Sequence, residues 1–318
     1  MELGTTPAVK LPFENAIQEE IEELKTSLIP GRNGLFLFIS FDLDNSTLFK
    51  SEAEDEWPAV IVFFYDAITK MTKEKIDDIN IWKYLGDEIV LYHIVRSIEG
   101  VYDIPDILFG IQEDVLNRIR REFPKAAILD IKCTLWLAGV TRVKAGDVKS
   151  IKDNPIYEKG QIYRNIHTSI PLENGTVEDF LGVDMDTGFR IAKYSNKRKI
   201  TLSAEYAYLL YHLSKPTNVS KIDNKLKVVA FKELKGIWNG RAYPIVWYYP
   251  DWSKSDASFD YDEHIHNEII KDISRKKEIE HLDKVFEDAG QKEYMDHFIE
   301  ICREYISEGK KEHVVGIV

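Results

Sequence analysis

The chain has 318 residues, 44% of them apolar and 30% charged, a mixture that fits a folded globular protein and argues against global disorder. Its 42 Lys and Arg face 54 Asp and Glu, giving a net charge of −12. It therefore lacks the basic field on which non-specific binding to nucleic acid or to an anionic membrane surface depends.

Ile17, Ile21, Leu24 and Leu28 recur at helical spacing and predict an N-terminal helix within 1–30, closed by Pro30-Gly31. Leu35 to Leu43 is a nearly unbroken apolar run, the pattern of a strand buried on both faces. Trp57 to Lys75 returns to helical periodicity, with Pro58 in its first turn. Ile79 to Val95 reads as a hairpin around Leu85-Gly86-Asp87. A helix over Ile107 to Arg121 and a strand over Ile128 to Val143 follow. Lys144 to Thr176, mixed in Gly, Pro, Asn and charge, reads as loop with short elements. The pattern then gives a helix over Val183 to Tyr194, a short strand over Lys199 to Leu202 and a helix over Ala204 to Leu213. Leu226 to Ile237 and Ala242 to Tyr249 read as a closing pair of strands. Composition changes after Pro250-Asp251-Trp252, and two helical patterns run to the end. These boundaries give an α/β (α+β) domain over 31–253 and a helical extension over 254–318 expected to pack without chemistry.

Cys133 and Cys302 have neither zinc-site spacing nor the density of a disulfide framework, which fits a reducing compartment. The first residues lack a basic segment followed by an apolar one, so no secretory leader is expected. The longest apolar runs fall far short of the roughly 18–20 residues that span a bilayer. A cytoplasmic protein is expected, with no nucleic acid and no membrane as partner. Asp262-Glu263-His264-Ile265-His266 looks like a metal cluster, but histidines two apart point to different helix faces, and a helix start is the better reading.

Two aspartates stand where strands stop. Asp42 ends the apolar run and opens the polar segment Asp44-Asn45-Ser46-Thr47; Asp87 lies at the hairpin tip after Gly86. Hard divalent ions take oxygen ligands, commonly one or two carboxylates plus substrate phosphates. Taken singly, Asp42 and Asp44 would equally serve a helix N-terminus and Asp87 a turn. Together they form a more specific constellation.

Phe41-Asp42-Leu43-Asp44-Asn45-Ser46-Thr47 resembles the F-x-D-x-x-x-x-T start of class III nucleotide cyclases, and Lys83-Tyr84-Leu85-Gly86-Asp87 their K-x-x-G-D hairpin. Asp179 to Arg190 is similar to the family's D-x-x-G-x-x-V-N-x-x-x-R segment, Ile200-Thr201-Leu202-Ser203 to its next short strand, and Phe231 to Ile237 to its closing strand. The resemblance spans roughly residues 33 to 250 in family order. It implies a ferredoxin-like βαββαβ core acting on a nucleoside triphosphate. It further implies that Asp42, Asp87 and the Leu43 carbonyl hold two divalent ions, Mn²⁺ or Mg²⁺. The backbone of Asp44 to Thr47, behind Phe41, would cradle the β- and γ-phosphates, with Asn45 at a usual glycine position. Arg190 would stabilise the transition state, Asp186 would replace the asparagine that orients the ribose, and Lys83 with Asp179 would read the base.

A Lys donor beside an Asp acceptor suits adenine, cytosine or uracil, so the pair alone does not name the base. Trp82, Tyr84, Lys50 and Arg96 are bulky candidates to narrow the pocket. FDLDNSTLFK, WKYLGDE and the M-D-x-x-F-R segment resemble most the Pycsar antiphage pyrimidine cyclases. That resemblance implies UTP, less often CTP, as substrate, the cyclic monophosphate (cyclic UMP foremost) as a messenger, a separate effector protein that reads it, and a homodimer with shared active sites. An adenylate or guanylate cyclase and a nucleotide-binding pseudo-cyclase are the competing readings. A two-metal phosphodiesterase or polymerase would leave Asp179 to Arg190 without a role.

Overall fold

A computed structural model describes residues 28–95, 98–145, 165–172, 175–212, 225–250, 275–293, 295–296 and 299–300. β1 (Leu28–Asp44) leads through a short helix α1 (Ser46–Glu52) into α2 (Trp57–Lys75). The hairpin β2 (Ile79–Leu85) and β3 (Glu88–Ile94), the helix α3 (Ile98–Glu122) and β4 (Asp130–Ala145) follow. β3 and β4 both pair antiparallel with β1, and the order β2-β3-β1-β4 is that of the ferredoxin-like βαββαβ unit. β7 (Ile200–Leu202) extends the sheet parallel to β4, and β9 (Ala242–Tyr248) with β8 (Leu226–Glu233) completes it.

Because side chains alternate along a strand, β1 divides its residues between two faces. Leu37, Ile39, Phe41 and Leu43 are buried on one, the side of α2 and α3. Phe38 lies on the other, its ring stacked on Trp136 at 5.5 Å and edge-on to Phe180 at 4.9 Å and Trp82 at 5.4 Å. Farther along that second face the residues turn polar: Ser40, then Asp42.

Two differences from the sequence reading stand out. The stretch 144–176, expected as loop with short elements, contains the end of β4 and most of a regular hairpin, β5 (Asn165–Leu172) and β6 (Gly175–Gly182), with β5 parallel to β4 over four residue pairs. Its polar composition hides it, although β5 pairs with the adjacent β6 over eight residue pairs. α3 begins earlier than the amphipathic stretch from Ile107 indicates and runs through Pro105. Residues 1–27, with nearly all of the expected N-terminal helix, lie outside the described residues, as do the pattern at Ile265 to Ile273 and the Asp262 to His266 segment; Leu28 already belongs to β1.

α4 (Val183–Ile191) lies on the aromatic face. A Cβ at Gly188 would sit 2.2 Å from the Trp136 ring, so only glycine permits this approach. α5 (Ala204–His212) is buried along almost its whole length, and α6 (Arg275–Asp288) docks on it. There the Tyr208 hydroxyl donates to Asp283, and the Phe286 ring meets Tyr208 edge-on at 4.9 Å. No helix among the described residues is long and apolar enough to cross a membrane.

Candidate active site

The polar end of the second sheet face forms a cavity of about 330 Å³. Asp42 lies opposite Glu88 on β3 and Lys132 on β4, and Ser40 lies opposite Thr134. These residues line the cavity together with Asp87, Phe189, Lys193 and Ser195. Asp87 arrives through the turn after β2, where Gly86 has φ +73° and Tyr65 donates its hydroxyl to the Gly86 carbonyl. The Leu43 N–H donates to the Asp87 carbonyl at 3.3 Å, tying the strand end to the hairpin tip. Ser46 donates to the Asp87 carboxylate, and Lys50 stands 3.6 Å from it.

The electrostatics follow from that convergence. Burial and the nearby carboxylates of Asp87 and Glu88 push the Asp42 carboxyl up to about 6, against a partial offset from Lys132. Glu88 is also raised, chiefly by burial, although Ser40 donates to it. Repelling carboxylates at a strand end are the donor set a hard divalent cation relieves. Among the described residues no group of three or more His, Cys, Asp or Glu surrounds a metal position. Two carboxylates and a backbone carbonyl still fit an ion that completes its shell with water and phosphate oxygens. Residues Asp42, Asp87 and Leu43 would hold it.

The remaining candidates fall in three places. Phe41 is fully buried on the opposite face, so its side chain faces the core and not the cavity. Asp44 is ion-paired with Lys132 at 2.5 Å. Asn45 has φ 63° and ψ 14°, the left-handed conformation that glycine takes freely and asparagine tolerates, which accounts for Asn at this position. Its side-chain amide donates to the Ile128 carbonyl at 3.1 Å, while Ser46 is buried and Thr47 exposed at the start of α1.

Lys83 and Asp179 form the second group, their nitrogen and oxygen 2.9 Å apart. The sequence reading did not anticipate how Trp82 joins them. β2 bulges between Ile81 and Lys83, two residues opposing one on β3, so that neighbours Trp82 and Lys83 reach the same carboxylate. The Trp82 indole donates to Asp179 at 3.1 Å, and the Lys83 ammonium lies 4.0 Å from the indole centroid. Lys50 is instead at Asp87, the exposed Tyr84 ring lies tilted against Tyr65 with centroids 4.5 Å apart, and Arg96 lies outside the described residues.

The third group is on α4. Asp186 is exposed in its first turn; Arg190, in its last, donates from Nε to the Lys235 carbonyl. The buried acid of this helix is Asp184, bonded by the Asn165 amide at 2.6 Å. Neither Lys83, Asp179, Asp186 nor Arg190 lines the cavity that holds Asp42 and Asp87. Ser40 was reachable from the period-two pattern that ends in Asp42. Glu88 follows Asp87 directly, whereas Lys132 and Thr134 depend on strand register and leave no local signal.

No family model and no curated protein matches the chain. Among solved structures, the adenylyl cyclase CyaB from P. aeruginosa superposes with a TM-score of 0.50 at 11% identity, over 69% of this chain and 96% of that one. The guanylyl cyclase Cya2 gives a TM-score of 0.45 at 13% identity, over 69% and 93%. The guanylate cyclase domain of RhGC from Catenaria anguillulae, solved with GTP, gives 0.44 at 12%, over 69% and 99%. The fold is that of a nucleotide cyclase catalytic domain, as the likeness to the first of these establishes.

Proposed function

We propose that the chain is a class III nucleotide cyclase that converts UTP to 3′,5′-cyclic UMP and diphosphate, acting as a homodimer and making a messenger for antiphage defence. The observation that supports the base reading is the Trp82–Asp179–Lys83 cluster: the bulky indole stands at the pair, where it would narrow the space for a base. Lys83 donates to O4 of uracil and Asp179 accepts from N3–H.

Asp42, Asp87 and the Leu43 carbonyl would hold the divalent ions, Mn²⁺ or Mg²⁺. When bound, these supply Lewis-acid stabilisation of the attacking and leaving oxygens. The reaction forms a bond from the ribose 3′-oxygen to the α-phosphorus and breaks the bond to diphosphate; the 3′-hydroxyl proton is lost. Arg190 directs its guanidinium at the charge that builds on the α-phosphate, which a planar, permanently ionised fork does better than an ammonium. Asp186 accepts from a ribose hydroxyl. That Lys83, Asp179 and Arg190 do not line the cavity of Asp42 and Asp87 supports a two-fold dimer in which each site draws on both subunits. The product would act through a separate effector protein.

The test incubates the purified chain with each nucleoside triphosphate and Mn²⁺ or Mg²⁺ and separates the products. Cyclic UMP from UTP is expected. A cyclic product from ATP or GTP alone would overturn the base reading, and no cyclic product from any triphosphate would overturn the enzyme.

A further inference from the structure

We infer that α6 positions Arg190 through the loop between β8 and β9, which makes Phe286 and Arg241 positioning residues for the cyclisation proposed above, on whose reading this inference rests. The loop has an unusual backbone. Gly236 has φ 78°, Trp238 47°, Asn239 54° and Gly240 80°. Glycine occupies this left-handed region freely, but a bulky Trp does so at a cost and stays only where its surroundings hold it.

The surroundings come from two sides. On one, the Trp238 indole is buried between Tyr243, with ring centroids 4.7 Å apart, and Phe286 of α6 at 5.2 Å. Arg241 donates from Nη1 to the carbonyl of Asp288, the last residue of α6, at 2.9 Å. Gly290, at φ 64°, leaves α6 beside that same nitrogen, 2.9 Å from where its Cβ would stand. On the other side, the Lys235 carbonyl accepts the Nε bond of Arg190, and a Cβ at Gly236 would lie 3.9 Å from Arg190 Nη2.

Arg190 is thus held at both ends. Its backbone is fixed by the seating of Gly188 on Trp136, and its guanidinium by a strained loop that α6 clamps shut. Tyr208 and Lys292, both at the Asp283 carboxylate, anchor α6 in turn. Releasing the clamp lets the loop relax and the guanidinium shift by a fraction of an ångström, where a misplacement of about 1 Å costs about 10²-fold in rate.

The test measures kcat, KM and hydrogen exchange on the full chain carrying Phe286→Ala. The expected result is a kcat lowered about tenfold with KM within about twofold, because an interaction made in the transition state is lost. Exchange should quicken in 234–241 and stay unchanged in β1 and β4, and Phe286→Leu should restore most of the rate. Unchanged loop exchange, or faster exchange with unaltered kcat, would overturn the inference. If Phe286→Ala fails to fold, Arg241→Ala is judged by the same two readouts. Should the unmodified chain cyclise no triphosphate, the functional reading falls, while loop exchange still decides whether α6 holds the loop.

Discussion

Asp42 pays for its position with ionisation. Its carboxyl stands at about 6 in the folded chain against 3.8 ordinarily, so the folded state keeps a proton that the unfolded state has released. Stability is therefore lost as pH rises from the lower value through the higher one, and the full penalty stands above it. In chelator, Asp42→Asn should melt higher than the unmodified chain at about pH 8, and the gain should vanish by about pH 4. A gain that persists at the acid end would assign the effect to something other than the charge. Mn²⁺ affinity should fall as pH drops through the same window, because the cation competes with that proton. Trp82 makes a different kind of claim. Replacing it by Ala empties the indole's place beside Asp179, so product analysis of Trp82→Ala should show UTP turnover falling and ATP turnover rising relative to it.

At the scale of elements, α4 depends on one missing atom. Gly188→Ala puts a methyl group 2.2 Å from Trp136, and neither the stacked indole nor the helix backbone gives way cheaply. The expected cost is about 1–3 kcal/mol, read as a lower melting temperature in thermal denaturation. Local patterning made many elements legible. The helix over Trp57–Lys75 and the hairpin around Gly86-Asp87 stand where periodicity and turn chemistry placed them. The hairpin β5–β6 escaped because its polar residues and Pro171 blur the alternation that marks a strand, although its two strands are neighbours in sequence. The bulge at Trp82 escaped for another reason: an extra residue in one strand is visible only against its partner. Asp42 and Asp87 could be found from strand ends, but their company of Glu88, Lys132 and Thr134 is a product of register.

For the whole molecule, a net charge of −12 coexists with a cavity where Lys132, Lys193 and the nearby Lys50 offset Asp42, Asp87 and Glu88. Global charge disfavours polyanionic partners without describing the cleft, and the proposed triphosphate would meet that local balance. The proposed dimer yields a mixing prediction. Asp42→Ala and Arg190→Ala should each be inactive and folded. Allowed to exchange subunits, half the dimers become mixed, each with one intact site of two, so about a quarter of the original activity should return. No recovery after verified exchange would place all the groups of one site in one chain.

The docking of Phe286 over Trp238 also sets an order in time. Asp42, Asp87 and Arg190 leave the ribosome before Phe286 does, and 286 − 190 leaves 96 residues still to be made after the arginine. At about 5–20 residues per second that is an interval of about 5–19 s in which the sheet can form and subunits can meet while the arginine loop has no clamp. Newly made chains therefore pass through an unlocked stage, and the loop closes only once a segment translated well after the sheet has emerged.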